Sequence, residues 1–368
     1  MVVDSIVNTS IGITMTRKIY ASSKQYHDNY FIHDYIYKNT GIYNKNGDTH
    51  NQTLEGLIIF YQFRLAPSRE IGLGGLQTLP QTASWGHNTM NHVYHPFYGD
   101  TLRGFLSYHG RHSQATFDNI GGPNISGDGH LGAAQFPGVV VLHADVSATN
   151  KNNDYSQPSS TPFLDSGSGI TRDNSQFNEV LMSEEYALMS SGHPDLTHDE
   201  AVGDEYPDQW QPVSQSGKSQ CLGFGPYELN PGDSIRIVFA EGVNGINRSL
   251  CYQIGSQWLE GLSSYNMPDG SSTNNADEFK NAWVFTGVDS ILKTFDHATR
   301  NWELDFSLPE SPPPPNVFEV TSGGNGINLK WSNNAESWPN FSGYKIYRSI
   351  HKPDTTFELI FECGLGTD

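Results

Sequence analysis

His143 and Asp145 stand two apart at the end of an apolar run, Pro137 to His143. Strand alternation puts both on one face, within reach of each other. A carboxylate bonded to an imidazole can orient it as a catalytic base. No GxSxG turn accompanies them, and Ser166-Gly167-Ser168-Gly169 reads as ordinary loop. A structural His–carboxylate bond accounts for the same two residues. Glu241 follows a second apolar run, Ile235 to Ala240, at a strand end where many folds carry site residues. Paired with Asp145 it would supply the two carboxylates of a glycoside hydrolase. Glu184 and Glu185 fall mid-helix and read as a solvated face.

Metal chemistry has two sets of candidates. His109 and His112, in SYHGRH, are close enough to share Zn²⁺ or Cu²⁺. They match no HExxH signature, and loop histidines bonded to backbone explain them equally. Calcium suits the Asn-rich acidic loops better, with Asp128 in Gly127-Asp128-Gly129 and Asp154 closing Asn150 to Asp154. A third chemistry is stacking. Trp85, Tyr94, Tyr98 and Tyr108 lie in loop-like sequence rich in Asn, Asp, His and Gly, as do Phe97 and Trp210. Aromatic faces flanked by amides and carboxylates build sugar-binding platforms. The competing role for these rings is to pin long loops to a sheet.

These residues must be held by strands. Asp28 to Lys38 and Leu54 to Leu65 are long β-prone runs, joined by a segment whose Asn46-Gly47-Asp48 is hairpin-tip chemistry. Antiparallel pairing of the two is the expectation. Residues 66–136 are Gly- and His-rich and weakly periodic, apart from a strand-like Leu102 to Tyr108, and Ala148 to Asp173 is a second long loop. A helix capped by Asp173 or Asn174 is expected to run to about Ser190 with one apolar face. Thr197 to Glu200 is a capping box. Asn247 to Leu262 and Asn275 to about Arg300 read as helices, the second broken near Gly287.

The chain has 368 residues, which allows two domains. Its 40 acidic and 21 basic residues give a net charge of −19, which argues against nucleic-acid binding and against docking on anionic lipid. No apolar run is long enough to span a membrane, and the N-terminus lacks the pattern of a signal peptide. The expectation is that a leader was removed or that the chain is a fragment. Of three cysteines, Cys221 and Cys251 are the candidate disulfide pair, against three free thiols.

A proline run, Pro312 to Pro315, marks a stiff linker over 306–315. Beyond it, Phe318, then Ile327, Leu329 and Trp331, then Phe341 and Gly343 to Ser349, then Phe357 to Ile360 resemble strands A, B, C and the next strand of a fibronectin type III domain. Such a sandwich needs about seven strands, so 316–368 reads as a partial module. Residues 1–305 resemble uncharacterised secreted ectodomains of marine and Bacteroidetes-like bacteria, through Asp28 to Gly41, Asp118 to Pro123, Gly138 to Asp145 and Gly225 to Glu241. The resemblances imply an extracellular or cell-surface protein, mainly β with several helices: an antiparallel β-sandwich main domain followed by a partial immunoglobulin-like sandwich. The expected role is binding or structural, towards polysaccharide or other cell-surface proteins. Without a catalytic motif, an enzyme is the lesser expectation, in the form of a polysaccharide hydrolase.

Overall fold

The computed structural model describes residues 2–24, 26–68, 70–72, 75–76, 88–93, 102–111, 115–165, 178–203, 218–307, 313–324, 326–339, 341–348 and 358–364. The protein is mainly β, with antiparallel sheets and a smaller helical share. Its contacts divide it into Met1–Asp305 and Phe306–Asp368. No helix among the described residues is long and apolar enough to cross a membrane.

In the first unit the strands are β1 (Val2–Asn8), β2 (Ile13–Ala21), β3 (Tyr30–Asn39), β4 (Leu54–Phe63), β5 (Ile71–Gly72) and β6 (Gly75–Leu76). They continue with β7 (Asn88–Val93), β8 (Arg103–His109), β9 (Gln135–Ala144), β10 (Phe163–Asp165), β11 (Lys218–Leu229) and β12 (Ser234–Gly245). A small hairpin, β13 (Tyr265–Asn266) and β14 (Ser272–Thr273), follows. The helices are α1 (Glu179–Met189), α2 (His198–Val202), α3 (Arg248–Glu260), α4 (Ala276–Phe285) and α5 (Gly287–Glu303).

A seven-stranded sheet runs in the order β1-β2-β3-β12-β9-β8-β7, and a three-stranded sheet in the order β10-β11-β4. The two long runs expected to pair therefore do not. β3 pairs with β2 and β12, and β4 pairs with β11. The turn between them survives only as a short bridge, Ile42 to Thr49. The reason lies in β3 itself, which has apolar groups on both faces and so needs cover on both. Tyr35 and Tyr37 on one face join Phe239, Leu57 and Phe224 in a core that draws on both sheets. Tyr61 and Phe63 of β4 meet Phe239 edge-on at 5.1 and 5.4 Å. The Tyr37 and Tyr61 hydroxyls bond across at 2.6 Å. On the opposite face α5 buries Ile291, Leu292, Phe295 and Ala298 against β12 and β9. Gly138 permits this approach, because a Cβ there would lie 2.7 Å from the Phe295 ring.

The helix ends behave as their caps dictate. Thr197 and Glu200 form the capping box of α2, and Gly287 opens α5 after the break. α1 differs from expectation: it is capped by Asn178, starts at Glu179 and buries no residue, so its spaced apolar residues form no core face. All three cysteines are free, and the Cys221–Cys251 pairing is absent. Burial pushes the Cys221 thiol up to about 12 and the Cys251 thiol up to about 11, which keeps both protonated.

The second unit contains two hairpins. β15 (Phe318–Gly323) pairs with β16 (Gly326–Trp331), and β17 (Gly343–Arg348) with β18 (Glu358–Gly364). Trp331 meets Tyr344 edge-on at 5.4 Å, tying one hairpin to the other. Every residue of β15 is exposed. Ser349 and Phe357 lie outside the described residues.

Candidate functional site

The His143–Asp145 alternation is as expected, with His143 Nε2 2.9 Å from Asp145 Oδ1. The carboxylate of the pair is committed. Asp145 Oδ2 also accepts from Lys151 Nζ at 2.9 Å and from the Arg236 backbone N–H at 2.8 Å. Burial would raise the Asp145 carboxyl, but the bonds from His143, Lys151 and Arg236 outweigh it and hold the group below its usual value. Around it Arg236 makes a two-pronged bond to Asp34 (2.8 and 2.7 Å) and stacks over Trp302 at 4.8 Å. Asp145 is 1% exposed and leaves no face for a substrate.

Glu241 is not its partner. Asp145 pairs beside Arg236, five residues along β12 from Glu241, which is about 17 Å of strand. Glu241 also shares the face of Phe239, opposite β3 residue Phe31, whereas His143 faces Trp302 of α5.

On that opposite face the large sheet extends past the end of β4, and the ledge forms the floor of an open cleft of about 750 Å³. Ile19, Phe31, His33, Pro137, Glu241 and Val243 make its floor, while Arg64, Leu65, Ala66 and Pro67, leaving β4, make its wall. Phe31 is 50% exposed and Val243 44%, so the floor presents apolar surface to solvent. Asp28 and Asn29 stand at its edge. The wall is tethered beyond its end: Ser68 Oγ donates to Gly132 O at 2.6 Å and accepts from Glu70 N at 3.0 Å. Glu70 in turn lies 3.1 Å from His130, whose other ring nitrogen meets Asp128 at 2.5 Å.

His33 and Glu241 are the polar heart of the cleft. Nε2 and Oε2 are 3.6 Å apart, beyond hydrogen-bond length. Both ring nitrogens of His33 are buried without a hydrogen-bond partner among the described residues. The ring stacks on Phe239 at 5.1 Å and on Tyr35 at 6.3 Å, continuous with the aromatic core. Burial, assisted by the Arg17 charge, lowers His33 to about 4, so the imidazole is neutral at ordinary pH. Burial also raises the Glu241 carboxyl above its usual value. A neutral imidazole beside a carboxyl group raised by burial can bind donors or take part in proton transfer.

The other sequence candidates are dispersed. Tyr108 is half-buried; its hydroxyl donates to Asp199 Oδ1 and its ring meets Phe285 edge-on at 5.1 Å. His109 is buried on β8, with Nε2 3.2 Å from the Asn119 amide. Asp128 bonds His130, and that bond holds its carboxyl below its usual value. Asp154 Oδ1 accepts from Ser156 N and Oγ. In and just after the Asn150 to Asp154 loop, Arg103 occupies three of the oxygens. Its guanidinium donates to Asp154 O and Gln157 O at 2.6 Å and to Asn153 Oδ1 at 3.0 Å. Among the described residues no three His, Cys, Asp or Glu side chains gather at metal-binding distance. Trp85, Tyr94, Phe97, Tyr98, His112 and Trp210 lie outside the described residues.

Sequence reasoning missed His33 and Phe31 as site residues. A polar ring among Phe31, Tyr35 and Tyr37 on one strand face was the available signal. No protein-family model matches the chain, and no curated protein matches it either.

Proposed function

We propose that this chain is a secreted or cell-surface modular protein that binds polysaccharide through the ledge cleft. In this reading the seven- and three-stranded sheets of the first unit form an antiparallel β-sandwich, and the second unit is a fibronectin type III-like spacer. The observation that carries the proposal is the half-exposed Phe31 ring beside Glu241 and His33 in an open cleft. A ring face for sugar C–H groups, flanked by hydroxyl-binding groups, is the general requirement of a carbohydrate platform. The 17% charged content and the net acidity support an exported surface that avoids nucleic acid and anionic lipid.

The test is a glycan array followed by calorimetry on the full chain. Phe31→Ala should lower affinity for the bound polysaccharide about ten-fold. Its thermal unfolding should stay unchanged, since half of Phe31 is already in water. Binding to no polysaccharide would sink the reading.

One observation favours a second reading. The raised Glu241 carboxyl, next to a neutral imidazole, suits a general acid in glycoside hydrolysis. Release of reducing ends from the bound polysaccharide, lost in Glu241→Gln, would convert the binding site into an active site.

A further inference from the structure

Within the carbohydrate reading, on which this step rests, the charges of the cleft discriminate between sugars. Glu241 projects from the floor with its side chain 42% exposed, and its ion-pair partner is His33 alone among the described residues. That imidazole is neutral at ordinary pH, so it brings no compensating charge. The carboxylate is thus partly desolvated and, among the described residues, paired with no charged cation, a costly arrangement that a ligand's positive charge would relieve. Among the described residues that line the cleft, Asp28 adds a second carboxylate at the rim and Arg64 of the wall is the basic residue, while the Arg17 charge acts on His33 rather than on Glu241. Phe31 stands opposite Glu241 in the strand register, so a group bonded to the carboxylate lies beside an exposed ring. Ring faces attract cations as well as sugar C–H groups. At longer range the net charge of −19 draws cationic ligands in and repels anionic ones.

We propose that the cleft selects sugars bearing a free amine, with the ammonium held between the Glu241 carboxylate and the Phe31 ring, and rejects uronic acids. The ammonium donates to Glu241, and the remainder of the sugar ring covers the apolar floor of Ile19, Pro137 and Val243. His33 fills the floor beside the carboxylate. Locked by stacking on Phe239 and Tyr35, it backs the carboxylate without neutralising it.

The experiment is calorimetry on the full chain with three probes of matched length: glucosamine, glucose and glucuronic acid oligomers. The glucosamine oligomer should bind at least ten-fold tighter than the glucose oligomer, and the glucuronic acid oligomer should not bind. Glu241→Gln preserves shape and should remove the ten-fold preference while leaving the glucose affinity within two-fold. His33→Phe keeps the stack and should leave the preference in place, because the imidazole carries no charge at neutral pH. Equal binding of glucose and glucosamine oligomers, still lowered by Phe31→Ala, would overturn the amine selectivity and leave the carbohydrate reading standing. A preference that survives Glu241→Gln would likewise overturn it. Absence of binding by all three, and by every glycan on an array, would overturn both.

Discussion

Two His–carboxylate pairs lie on opposite faces of one sheet, and they differ in how their hydrogen bonds are spent. His143–Asp145 closes at 2.9 Å, and the carboxylate takes two further donors. His33–Glu241 stops at 3.6 Å, with both imidazole nitrogens unbonded among the described residues and the carboxylate facing a cleft. The first pair meets the rule that buried polar groups are satisfied; the second departs from it. Chemical identity does not separate a structural pair from a functional one. The count of remaining lone pairs and donors does.

The largest effect that would break this comparison belongs to Asp145. Asp145→Ala should lower the stability of the chain by about 3 kcal/mol in urea unfolding, because His143 Nε2 and the Arg236 N–H lose their acceptor and Lys151 keeps only the Ser234 carbonyl. A loss as small as that of a surface residue would show that these bonds do not hold the strands together.

Acid should come next. His33 is held near 4 and the fully buried His198 near 3, both lowered by burial, whereas in the unfolded chain each protonates near 6.5. The unfolded state therefore binds more protons as pH falls below about 6.5. Stability is whole above that value and drains away as pH drops towards 4. For His33 alone the loss is about 2 kcal/mol after solvent screening. His33→Phe should flatten the urea midpoint between pH 6.5 and 4.5 by that share. An unchanged slope would show that the ring is not held neutral.

The smallest effect sharpens the contrast. Glu241 has the opposite sign to the histidines: its raised carboxyl favours the folded state while protonated, and that stability is lost as pH rises through the folded value. At neutral pH Glu241→Gln should thus stabilise the chain, by a few tenths of a kcal/mol given the exposure of the group. Destabilisation would place Glu241 with Asp145 among the structural carboxylates.

Much of the scaffold was legible because its signals are local. The alternation in PGVVVLH led to β9, and with it to the His143–Asp145 contact two residues apart. Thr197 and Glu200 announced their cap, and the Gly287 break between α4 and α5 was visible as an interruption. What failed depended on partners distant in the chain. β3 and β4 carry hairpin chemistry between them, yet β12 inserts beside β3 and β11 takes β4. The cleft failed for the same reason: Phe31 and Glu241 become neighbours only through the β3–β12 register. Likewise, an Asn-rich loop suggestive of calcium gives no hint that Arg103, from β8, donates to its Asn153 and Asp154 oxygens.

The ledge where the large sheet outruns the small one has a practical consequence for redesign. The strands that form the core at one end form the cleft floor at the other, so the floor is held in the same hydrogen-bonded sheet as the core. Past His33 and Phe239, Phe31 and Val243 on that face are about half exposed, so they can be exchanged with little risk to folding. Positions 19, 31, 241 and 243 thereby constitute a mutable palette on a fixed frame, from which a library could draw new ligand preferences without re-engineering the protein beneath.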